Sequence, residues 1–237
     1  MKTKGKALLL VLCAMLLVVA SVLGTLAYLT YTTQTVENTF VVGKVSIALD
    51  EAEVDEYGKN ANGRTTTGNE YTLLPGHTYI KDPTVTVNAE SELAYVRVLV
   101  TVDNMNSLTA AFPQTSYPEF YGADGTFLLQ MLCCDETGAC TWDPDTWAYA
   151  GYENGVYEFR YVGSKSDNGV VDAGAGDVVL EPLFTDITVP GFVSNQKADG
   201  EAKSAIELLS EVDINIVAHA IQADTFDDAA DAWTHWE

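Results

Sequence analysis

The most regular alternation in the chain runs from Ala94 to Asp103. Val96, Val98, Val100 and Val102 fall on one side, and Tyr95, Arg97, Leu99 and Thr101 on the other. A period of two sends successive side chains to opposite faces, so this stretch predicts a strand with one face on a core. Thr39 to Leu49 alternates too, with a parity change at Gly43-Lys44 that predicts a bulge or turn. Residues 50 to 70 turn acidic and then rich in Gly, Asn and Thr, as a loop does, and Leu74-Pro75-Gly76 leads into a strand from Thr78 to Val87. Phe127 to Cys134 and Cys140 to Trp142 flank Asp135-Glu136-Thr137-Gly138, and Trp147 to Tyr152 and Val156 to Val162 flank Asn154-Gly155; each reads as a hairpin. Leu183 to Val189 and Val212 to Gln222 read as strands; Ser107 to Phe112, Glu201 to Leu209 and Phe226 to Trp236 read as short helices. Many short strands without a βαβ rhythm predict an all-β fold, a two-sheet antiparallel β-sandwich with short decorating helices.

The first residues have a different pattern. Lys2, Lys4 and Lys6 precede an apolar or small-residue run from Ala7 to Leu23, followed by Gly24-Thr25-Leu26-Ala27. A charged start, an apolar stretch and a small-x-small end make a secretory signal peptide over residues 1–27, cut between Ala27 and Tyr28, with Thr25 and Ala27 at the −3 and −1 positions. The rival is a single membrane anchor, but the run is at the short edge of a bilayer span and no basic cluster follows it. The expected product is a secreted protein that meets the membrane only through the uncleaved signal. With no internal repeat or linker to divide it, residues 28–237 read as one domain.

Without the signal segment the chain keeps 34 acidic and 9 basic residues, a net charge near −25. Repulsion of the same sign argues against nucleic acid or anionic membrane as a partner. Cys133, Cys134 and Cys140 also remain, an odd number. Either one local disulfide closes Asp135 to Ala139 and leaves a thiol over, or all three stay reduced.

Catalytic patterns are missing. The histidines, His77, His219 and His235, form no His-Glu-x-x-His pair, no Gly-x-Ser-x-Gly occurs, and nothing selects two carboxylates from 34. The expectation is a protein that is not an enzyme and needs no cofactor. Asp143-Pro144-Asp145 and Asp224 with Asp227, Asp228 and Asp231 raise calcium, but neither has the spacing of an EF-hand loop. Trp142, Trp147 and Tyr149, near hairpin turns, suggest a monomeric surface-attached glycan-binding module as an alternative.

The order of several short words along the chain carries a resemblance. Gly24-Thr25-Leu26-Ala27-Tyr28-Leu29-Thr30, Val36-Glu37-Asn38-Thr39-Phe40, Val42-Gly43-Lys44-Val45, Ile47-Ala48-Leu49-Asp50-Glu51, Leu74-Pro75-Gly76-His77-Thr78-Tyr79, Lys81-Asp82-Pro83-Thr84-Val85, Ala94-Tyr95-Val96-Arg97-Val98 and Ala220-Ile221-Gln222-Ala223-Asp224-Thr225-Phe226 together resemble the TasA/camelysin family. The resemblance implies a jelly-roll-like sandwich, release by a signal peptidase of the SipW type, and a place at the cell surface or in the biofilm matrix, with copies of itself and other matrix proteins as partners. It also implies fibre assembly in which the segment after the cleavage site is a donor strand for the next subunit. Here that segment is Tyr28 to about Phe40, carrying Tyr28, Leu29, Tyr31, Thr33, Val36 and Phe40; it is β-prone, free of Pro and uncharged until Glu37. The alternative is an ordinary first strand within its own subunit. Some relatives carry a metallopeptidase label, for which this chain has no ligand motif. The three cysteines and the Trp/Tyr-rich middle depart from the fibre-forming members.

Overall fold

The computed structural model of the chain describes Met15, residues 44–197 and residues 202–236. The expected cleavage site at Thr25, Ala27 and Tyr28, the donor segment 28–40 and residues 39–43 of the first predicted strand lie outside the described residues.

The alternation at Ala94–Asp103 becomes strand β5, in the register the valines require. One edge pairs antiparallel along its whole length with the strand Asp213–Gln222, from Asp213 opposite Asp103 to Gln222 opposite Ala94. The other edge pairs with Val156–Tyr161 and, at Ala94 and Tyr95, with Val170–Val171. In chain order the strands are β1 (Ile47–Ala52), β2 (Arg64–Thr65), β3 (Thr78–Ile80), β4 (Thr84–Val87), β5, β6 (Trp147–Glu153), β7 (Val156–Tyr161), β8 (Ser166–Asp167), β9 (Val170–Val171), β10 (Val178–Val179), β11 (Asp186–Thr188) and β12 (Asp213–Gln222). One sheet runs β6-β7-β5-β9-β8 with β12 on the far edge of β5, a second runs β10-β4-β1-β2, and β11 pairs with β3. Among the described residues from 44 to 236, short helices decorate them: α1 (Met105–Ala111), α2 (Ala205–Leu209) and α3 (Ala229–Thr234). The fold is all-β, antiparallel and sandwich-like.

Val96, Val98, Val100 and Val102 meet Val85 and Val87 of β4 and Tyr157, Phe159 and Tyr161 of β7 in one buried core. The opposite face of β5 is covered as well. Tyr95 packs with Ala223, Ala232 and Trp233 in a second, smaller cluster, and the Arg97 guanidinium lies 4.3 Å from the centre of the Trp233 ring. Helix α3 makes that cover; Asp228 caps it by accepting a hydrogen bond from the Asp231 N–H at 2.8 Å. Between β6 and β7 Asn154 and Gly155 both have positive φ, 53° and 87°, the handedness that a tight hairpin demands.

Several expectations are corrected. The predicted strand Thr78–Val87 is two strands in different sheets, because Pro83 has no N–H to continue a ladder. Strand β1 runs on through Asp50 and Glu51, expected as loop, because the inward Glu51 carboxylate meets the Lys81 ammonium at 2.6 Å. The hairpin expected from Phe127 shrinks to a single bridge between Cys134 and Cys140. Leu129, Leu132 and Cys133 are all buried, and their i, i+3, i+4 spacing winds Leu129–Met131 into a 3-10 turn instead. Only Asp186–Thr188 of the strand predicted from Leu183 is extended in a ladder, since the successive Leu183 and Phe184 are both buried. Helix α2 starts four residues later than expected, where Ser204 and Glu207 form a reciprocal capping box.

Trp147 is fully buried at the start of β6; its Nε1 donates to the Glu181 carbonyl at 2.9 Å and its ring meets Tyr161 edge to face at 5.0 Å. Trp147→Ala is expected to destabilise the fold by about 3–5 kcal/mol, read as a lower urea midpoint with an unchanged slope. His219, opposite Arg97 on β12, is held below its ordinary value by burial and then by the Arg97 charge. The unfolded chain therefore takes up this proton first as pH falls. The contribution is fully present above about pH 6.5 and is lost as pH drops through the folded-state value. Thermal midpoints of a His219→Asn variant are expected to fall less steeply than those of the parent between about pH 7.5 and pH 5.

Candidate functional site

Strand β12 is the last strand of its sheet. Its inward residues Ile214, Ile216, Ala218 and Ala220 pack on the core yet stay only half-buried, and Val217 on the outer side is 52% exposed. Among the described residues its outer edge pairs with no other strand. Strand β1 is hydrogen-bonded to β4 over Ile47–Asp50 and to β2 only at Glu51 and Ala52, so most of its second edge is also open among the described residues. Strands β1 and β12 come within 8 Å, Cα to Cα, without forming a ladder.

An open cavity of about 960 Å³ lies beside these two edges. Leu49, Asp50 and Glu51 of β1 form one side and Asp213, Ile214, Asn215 and Ile216 of β12 another; Val102, Leu108, Phe112, Leu129 and Leu132 supply apolar lining from the core. Ile187, Thr188 and Val189 close a third side. The polar end is organised around the buried ion pair. The Asn69 amide donates to Glu51 Oε1 at 2.9 Å and to the Ala52 carbonyl at 2.9 Å, which holds the loop before Tyr71 against β1. Tyr71 donates to the Ile80 carbonyl at 3.1 Å, and burial, then the Glu51 charge, push its phenol far up, so it stays a neutral donor. Arg64 ties Asp50 and Asp82 together on the outside, at 2.6 and 2.9 Å.

The site is therefore an apolar trough rimmed by carboxylates and flanked by two strand edges that, among the described residues, are largely unpaired. Nothing in the sequence marked this trough, because half-burial of Ile214 and Ile216 depends on what β1 fails to cover.

The other candidate residues are engaged elsewhere. His77 lies near Tyr79 after its turn, His219 stacks on Trp236 at 4.6 Å, and His235 ends α3 beside Asp231. Asp143 accepts hydrogen bonds from the Asp145 N–H and the Thr146 hydroxyl, at 3.0 and 2.8 Å, as a turn residue does. Among the described residues no three His, Cys, Asp or Glu side chains converge as a metal-binding group. Of the residues suggested for a glycan platform, Trp147 is buried and Trp142 and Tyr149 are half-buried. Trp147 is in the core, Trp142 donates to the Trp147 carbonyl at 2.8 Å and meets Phe159 edge-on, and Tyr149 and Tyr152 tilt against Phe159 and Tyr157. Cys133 is buried, Cys134 half-buried and Cys140 exposed, all as free thiols.

Lys81→Met is expected to destabilise the protein by about 3–5 kcal/mol, because it leaves Glu51 charged and unpaired in the interior. Adding Glu51→Gln to that variant should recover part of the loss in chemical denaturation. No protein-family model, curated protein or solved structure matches this chain.

Proposed function

We propose that this chain is a secreted structural subunit of the bacterial cell surface or biofilm matrix that assembles head to tail by strand exchange. The observation that carries the reading is the apolar trough beside the open edges of β1 and β12. The donor is the segment Tyr28–Phe40 of a second copy, released when a signal peptidase of the SipW type cuts after Ala27. Its composition suits the acceptor. Leu29, Tyr31 and Thr33 share one face of a strand and would enter the trough, and the segment brings no carboxylate to the Asp50, Glu51 and Asp213 rim before Glu37. Burying Leu29 and the Tyr31 ring and filling the trough would remove apolar surface that the described residues leave wet, which drives association. The net charge near −25 opposes it, so assembly should strengthen with salt, acid or divalent cations.

The test uses the protein starting at Tyr28, with electron microscopy and sedimentation as readouts. The parent is expected to form fibres, while a chain starting at Val41 and an Ile216→Asp variant should each remain monomeric and folded by circular dichroism. Mixing the shortened chain with Ile216→Asp should give one-to-one heterodimers and nothing longer, since one supplies only the acceptor and the other only the donor. Fibres of unchanged length from the shortened chain or from Ile216→Asp would overturn the proposal.

A further inference from the structure

We infer that Cys134 and Cys140 form a disulfide across the loop 135–139 when the exported protein meets an oxidant, with Cys133 left as a buried thiol. The backbone already places the pair. Cys134 and Cys140 are opposite each other in an isolated antiparallel bridge. The hydrogen bonds that make the bridge flank the two cysteines: Asp135 N–H donates to the Ala139 carbonyl at 2.9 Å, and Thr141 N–H to the Cys133 carbonyl at 2.8 Å. The cysteines therefore occupy a non-hydrogen-bonded pair, in which facing Cα atoms lie about 4.5 Å apart with side chains on the same side. A disulfide spans Cα separations of about 4.4–6.8 Å, so it closes here without moving the chain.

The loop is held in this shape before any bond forms. The Asp135 carboxylate accepts hydrogen bonds from the Thr137 N–H at 2.8 Å, the Thr137 hydroxyl at 2.7 Å and the Ala139 N–H at 3.0 Å. Gly138 takes the left-handed conformation the turn needs, with φ of 82°. Outside the loop, the Thr188 hydroxyl donates to the Cys134 carbonyl at 2.7 Å and the Thr188 N–H to the Leu132 carbonyl at 2.9 Å, which ties the hairpin to β11. The bond would thus fasten the segment behind the Ile187–Val189 side of the trough.

The third cysteine cannot compete. Cys133 is 2% exposed and its thiol points to the Leu129 carbonyl in the core. Burial, then the neighbouring sulfurs, push that thiol well up, which leaves it unreactive. Cys140 is exposed and is the entry point. Its thiolate attacks a sulfur of an external disulfide, a small molecule or an oxidoreductase, and releases one thiol from it. Cys134, deprotonated in turn, attacks the Cys140 sulfur of the mixed disulfide and releases the second thiol. The two cysteines lose two electrons and two protons, and the external disulfide gains them as two thiols.

All three cysteines lie between Arg97 and Arg160 with no other Lys or Arg between, so one tryptic peptide reports on them apart from Cys13. The full chain is incubated with oxidised glutathione, alkylated under denaturing conditions and digested without reduction. The peptide from Val98 to Arg160 is expected to carry one alkyl group and to weigh two hydrogens less than its fully reduced form. Cys133→Ser should give the same loss with no alkyl group, and Cys140→Ser should show no internal bond. Three alkylated cysteines in the parent, an internal bond that survives in Cys140→Ser, or disulfide-linked pairs of chains through Cys140 would each overturn the inference.

Discussion

The pairing of β5 with β12 is the interaction on which the rest of the molecule depends. Ten consecutive residue pairs hold these strands in one register, and a slip by a single residue would turn every valine of β5 away from the core. Because β5 also carries β7 and β9 on its other edge, it is central in its sheet and buried on both faces over its first half. The valine face anchors the main core. The opposite face explains the position of α3, because Tyr95 and Arg97 need a cover, and Trp233 supplies an aromatic surface for both the phenol ring and the guanidinium. Glu158 and His219 complete the surroundings of Arg97, so this charge is paired and stacked rather than stranded.

The same pairing creates the trough. β12 extends the sheet beyond the point where the second sheet can cover it, and its inner side chains stay partly wet. An edge of this length normally carries protection against pairing with other chains, such as charges or a proline. The outward residues here are Asp213, Asn215, Val217 and His219, and the charge is confined to one end. That leaves most of the edge competent to accept a strand, which is the physical basis of the proposed assembly.

Residues whose chemistry invites a functional reading are largely committed to the fold. The tryptophans and tyrosines of the middle region fill the core around β6 and β7, and their polar atoms go to backbone carbonyls. The isolated acidic residues cap turns and helices. A chain with so many short strands has few backbone groups satisfied by long ladders, and side-chain caps take up the remainder.

The sequence by itself determined the all-β class, the register of β5, the Asn154-Gly155 hairpin and the long β12, because a period of two and a turn that needs positive φ are local properties. It also carried the pattern of an export signal and the charge. Where an element's end depended on a distant partner, only the tertiary structure decided. β1 continues through Glu51 because Lys81 lies across from it, and the two halves into which Pro83 divides Thr78–Val87 find their partners in different sheets. The cysteine-rich hairpin gives way to a 3-10 turn because Leu129, Leu132 and Cys133 must all reach the core. The trough, too, exists only in three dimensions: an uncovered edge is a relation between β1 and β12, about 160 residues apart, and burial by distant neighbours leaves no local periodicity to read.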